Sequence, residues 1–119
     1  MKRILFCLLM IAASAHALRA DEARVLDGEA SKTGMGWRIS ATVQHADTGW
    51  ENYADAWRAE DVSGKVLGTR ELLHPHVQEQ PFTRSLSSVM VPDGTRELIL
   101  RARCHEHGWS EQSFTLTLR

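Results

Sequence analysis

An all-β antiparallel sandwich of about seven strands is what this sequence predicts, and three observations carry it. Trp37 to His45 alternates cleanly, with Trp37, Ile39, Ala41 and Val43 on one face and Arg38, Ser40, Thr42 and Gln44 on the other. Period two with β-branched and aromatic residues means a half-buried strand. Arg96 to Cys104 repeats the pattern through Leu98, Leu100, Ala102 and Cys104, and Ser113 to Leu118 through Phe114, Leu116 and Leu118. Turn residues punctuate the chain at short intervals, and nothing after residue 17 sustains a helical period. Short strands spaced by Gly and Pro turns form the pattern of an immunoglobulin- or fibronectin-III-like sandwich, with a small barrel as the alternative closure.

The elements follow in order. An early strand near Ala23 to Ala30 leads to a turn at Gly34-Met35-Gly36, and Trp37 to His45 is the second strand. Tyr53 to Ala59, the Gly-containing turn Asp61 to Lys65 and Val66 to Leu73 read as a hairpin. Trp57 is then the buried aromatic of the third strand. Arg84 to Val91 forms the fifth strand, ended by Pro92-Asp93-Gly94, and Arg96 to Cys104 and Ser113 to Leu118 complete the set.

Residues 1–17 read as an export signal. Lys2 and Arg3 form a basic start, Ile4 to Ala13 an apolar run, and Ser14-Ala15-His16-Ala17 a small-residue cleavage site, with Ala20 as the alternate position. The apolar run falls short of the roughly 20 residues that span a bilayer. A periplasmic or secreted protein is expected, with one sandwich domain over residues 22–119 and no membrane insertion of the mature form. Cys7 sits early in the apolar run, whereas a lipid-attachment cysteine would follow it. Removing the signal takes two of the fourteen Lys and Arg and none of the fifteen Asp and Glu, moving the formal charge from −1 to about −3. That balance argues against nucleic acid or an anionic membrane as partner. Cys104 is the one cysteine left after processing, so an apolar core rather than an internal disulfide must hold the domain. Its parity with Leu98, Leu100 and Ala102 makes it a buried, inert thiol.

Alternating strand direction sorts the connections between two poles. Gly34 to Gly36, Asp61 to Lys65 and Pro92 to Thr95 fall at one pole, and Ala46 to Asn52, His74 to Phe82 and His105 to Gln112 at the other. Every histidine after the signal, His45, His74, His76, His105 and His107, belongs to the second pole. Pro75 fixes its own φ and pushes His74 to an extended conformation. Residues i and i+2 of an extended chain point to the same side, so His74 and His76 could reach one metal ion. His105-Glu106-His107 offers a second pair, and His45 leans inward on the parity of its strand. These placements predict a copper or zinc site built from His74, His76, His107 and His45, with Glu79 holding an imidazole tautomer.

A second expectation from the same pole is docking of an envelope protein without metal. Trp50, Tyr53, Phe82 and Trp109 sit on or beside these loops with Arg84 and His105, and exposed aromatics and arginine are what protein interfaces favour. No catalytic residue is assigned. The sequence contains no Gly-x-Ser-x-Gly elbow, no phosphate-binding glycine loop and no His-Glu-x-x-His, so a non-enzymatic role is expected.

The run from Gly49-Trp50 through Tyr53-Ala54-Asp55-x-Trp57, Val66-Leu67-Gly68-x-Arg70 and LHPHVQEQPFTRSL resembles a family of small exported bacterial proteins carrying an H-P-H-x-x-E-Q-P-F-T-R-S motif. The motif here is His74-Pro75-His76 with Glu79-Gln80-Pro81-Phe82-Thr83-Arg84-Ser85. The family's His-Gly pair near the end is matched by His107-Gly108, although Trp109-Ser110-Glu111 follows where relatives carry further glycine. The resemblance implies export and a single domain, and it implies no activity.

Overall fold

The computed structural model describes residues 21–119, which form two antiparallel sheets packed face to face. The export signal expected over residues 1–17 lies outside the described residues. The strands are β1 (Arg24–Thr33), β2 (Gly36–Gln44), β3 (Ala54–Glu60), β4 (Val66–Glu71), β5 (Phe82–Val89), β6 (Glu97–Cys104), β7 (Gly108–Trp109) and β8 (Phe114–Thr117). One sheet runs β1-β2-β5. The other runs β4-β3-β6, with β7 and β8 both paired to the far edge of β6. These last two are one edge strand interrupted at Ser110–Ser113, so seven strand positions make an immunoglobulin-like sandwich. No helix among the described residues is long and apolar enough to cross a membrane.

The alternation seen in the sequence becomes the core. Ile39, Ala41 and Val43 of β2 face Trp57 and Ala59 of β3 and Leu98, Leu100, Ala102 and Cys104 of β6, all buried. Each large apolar side chain removed from water contributes about 1.5–3 kcal/mol. Trp57 is completely buried, and its cross-strand neighbour on β6 is Ala102. Small neighbours leave room for the indole. Gly68 brings β4 so close to the opposite sheet that a Cβ there would stand 2.8 Å from Leu86 Cδ2.

β4 ends at Glu71 instead of Leu73 and β5 at Val89 instead of Val91, and three further boundaries differ from the sequence reading for a visible reason. β1 continues to Thr33, because the hairpin turn is only Gly34-Met35 and Lys32 pairs with Trp37. Gly36 closes that turn at φ +145°, and a Cβ there would meet the Val89 carbonyl at 2.8 Å, so only glycine fits. β5 begins at Phe82 instead of Arg84: Phe82 pairs with Val43, and Thr83 pairs with Thr42 through hydroxyls 2.8 Å apart. Finally, Gly108 and Trp109 leave the expected loop to pair with Cys104 and Arg103 on β6.

Candidate functional site: the histidine pole

The loops after β2, β4 and β6 meet at one pole, and a single carboxylate ties two of them to β3. β2 ends at Gln44, and the next two residues turn the chain so that Asp47 comes back under His45. Asp47 Oδ1 lies 2.6 Å from His45 Nδ1 and accepts the Ala54 backbone N–H at 2.9 Å. Its Oδ2 accepts the His76 backbone N–H at 2.8 Å. Gln80 adds a second tie, accepting the His45 N–H and donating to the His76 carbonyl. Buried polar groups that are all partnered hold a loop in one conformation, because each broken bond strands a desolvated group.

The histidines take different roles within this frame. His45 is buried, as its strand parity predicts, and both ring nitrogens are engaged: Nδ1 by Asp47 and Nε2 by the Asp21 carbonyl at 2.8 Å. It has no free nitrogen. His107 Nε2 lies 3.2 Å from Asp21 Oδ2, so both histidines fasten the start of the described chain to the pole. His105 stacks on Tyr53 with ring centroids 5.9 Å apart, while its backbone N–H bonds the Tyr53 carbonyl.

His74 and His76 are brought together, but as a stack. Their ring centroids lie 4.4 Å apart, and His76 in turn covers Phe82 at 3.9 Å with the planes 12° apart. His76 is only 5% exposed, and Arg84 donates to its Nε2 at 2.9 Å. A guanidinium can only donate, so the neutral ring carries its proton on Nδ1, which is buried without a partner. Burial, then the positive fields of His74 and Arg84, holds the His76 imidazole below the ordinary histidine range. Glu79 is exposed, and the carboxylates that meet imidazoles here are Asp47 at His45 and Asp21 at His107. Among the described residues no group of three or more His, Cys, Asp or Glu side chains is placed to hold a metal ion.

The remaining candidates divide between sheet and pole. Trp109 lies on the outer face of the five-stranded sheet under two guanidiniums, Arg58 at 4.0 Å and Arg103 at 5.1 Å from its ring centroid. Glu60 bonds Arg58 and Arg101, and Asp55 bonds Arg103, so that face is knit internally. At the pole, Trp50 is 64% exposed and meets Tyr53 edge to face at 5.6 Å. Leu73 at 77% and Val77 at 54% stand out beside the His74–His76 stack. Sequence reasoning passed over Asp47, Gln80, Leu73 and Val77. Asp47 had a signal: a lone carboxylate two residues past an inward-facing strand histidine.

Among curated proteins, the chain is similar to one named "Putative lipoprotein" from Halomicrobium mukohataei, 40% identical over 96 residues. The alignment covers 80% of this chain and 47% of that protein, so the chain spans about half the length of its relative. No family model matches, and no solved structure matches.

Proposed function

We propose that this chain is an exported, non-catalytic envelope protein whose sandwich recognises a partner protein through its histidine pole. Export is supported by the leader pattern of residues 1–17 and by the name of the relative. Recognition rests on one observation: apolar side chains of Trp50, Leu73 and Val77 stand in solvent on loops that Asp47 and Gln80 hold rigid. Single apolar side chains are also exposed elsewhere, Met35, Val62 and Met90 among them, but these three stand on tied loops of one pole, and a rigid loop loses little entropy when it is covered. Pull-down from envelope extract tests this. The full chain retains a partner that a Trp50→Ala, Leu73→Ser variant loses, and equal retention by both overturns the reading.

A metal role for the same pole has one observation in its favour, the 4.4 Å approach of the His74 and His76 rings. Copper or zinc would take His74 with His76 Nε2, displacing Arg84, and His45 and His107 would have to leave Asp21 to join them. Titration of metal-free protein with Cu(II) and Zn(II) decides it. Binding tighter than about micromolar that a His74→Ala, His76→Ala variant loses supports the site, and identical behaviour of the two proteins ends it.

A further inference from the structure

The domain uses one recognition chemistry repeatedly within itself. Arg58 and Arg103 lie over Trp109, and Arg84 lies 5.5 Å from the Phe82 centroid. The two guanidiniums over Trp109 are each also held by a carboxylate, Glu60 for Arg58 and Asp55 for Arg103. A ring face attracts the cation through its quadrupole, and the carboxylate fixes where the charge sits.

Trp50 is an exposed indole without such a cation. Its ring is braced edge-on by Tyr53, which is braced in turn by His105, so the indole is held in place while 64% of the residue stays in solvent. Among the described residues the cation–ring contacts are those to Trp109 and Phe82, and none is to Trp50. Carboxylates flank this aromatic run in the chain: Glu51 follows Trp50 and is exposed, and Glu106 follows His105, with its side chain 55% exposed. Asp21 and Glu79 add exposed carboxylates at the same pole.

Resting on the recognition role argued above, we propose that the Trp50 corner seats a cationic side chain, guanidinium or ammonium, from a basic segment of the partner protein. The cation lies over the open indole face, with Glu51 and Glu106 supplying the charge complement. The exposed indole also gives the stem apolar surface, since long basic side chains carry an apolar body beneath a charged tip.

The test uses the full chain and synthetic hexapeptides alternating Arg with Ser, or Glu with Ser, with isothermal titration calorimetry as readout. The Arg peptide binds and the Glu peptide does not. Trp50→Ala weakens binding roughly three- to thirtyfold, and Glu51→Gln weakens it less but makes it less sensitive to salt. Trp50 is exposed, so circular dichroism of the variant should match the parent. Equal binding of Arg and Glu peptides, no binding of the Arg peptide at millimolar concentration, or an unchanged affinity in Trp50→Ala overturns the proposal. Preference of the same corner for zwitterionic vesicles over the Arg peptide overturns it also. If an extract partner depends on Trp50 but ignores salt and Glu51, the cationic class is wrong while recognition by the pole stands.

Discussion

Arg84 donates to Nε2 of His76 across 2.9 Å, and by doing so it fixes the tautomer of an imidazole that burial already keeps neutral. A second proton on that ring would face a guanidinium from inside a site that water barely reaches.

The pH dependence of stability follows from this pair. His76 is held below the ordinary histidine range in the folded state, while an unfolded histidine titrates near 6.5. Between the two values the unfolded chain binds more protons, so His76 contributes its full stability above about pH 6.5 and loses it progressively as pH falls toward the folded value. Urea midpoints measured from about pH 8 to about pH 5 should drop for the parent and drop less for His76→Gln. A parent midpoint that rises on acidification contradicts the assignment.

Asp47 is the second lever. Asp47→Ala removes the partner of a buried imidazole and the acceptor of two backbone N–H groups at once. Breaking a buried pair from one side costs about 3–5 kcal/mol. Asp47→Asn keeps an acceptor and should lose less. Denaturant titrations should show a lower midpoint at an unchanged m-value in both.

Trp57 anchors the core between the sheets. Trp57→Ala should cost about 3–5 kcal/mol, because the side chain is completely buried and its removal leaves a cavity between the sheets. Calorimetry of the two proteins measures the loss.

Cys104 is buried, and its sulfur accepts the His107 N–H at 3.2 Å. An aromatic disulfide reagent should therefore leave the native thiol unmodified and react at the unfolding rate in denaturant. Rapid reaction of native protein would place the thiol at the surface.

The sheet was legible because its code is local. Ile39, Ala41 and Val43, or Leu98, Leu100 and Ala102, declare an inward face within a few residues, and a turn such as Pro92-Asp93-Gly94 declares the strand's end. The convergence of the histidine loops was also legible, since it follows from strand direction alone. What each histidine does was not. The stack of His74, His76 and Phe82 depends on where β5 starts, and the reach of Asp47 to Ala54 and His76 depends on a side-chain direction that no period encodes. Trp109 was expected at the pole and lies instead on the sheet face, because two residues of its loop regain pairing with β6.

The start of the described chain carries one last implication. Asp21 is fastened by His45 and His107, Glu22 accepts the Gln112 N–H, and the Ala23 carbonyl receives the Ser110 hydroxyl, all at the histidine pole. β8 leaves at the other end, where the Leu118 N–H meets the Arg96 carbonyl. The first and last described segments therefore lie at opposite ends of the sandwich. Loosening the Asp21 to Ala23 segment would disturb the histidine pole and leave the Arg96–Leu118 end paired, a difference that amide hydrogen exchange reads.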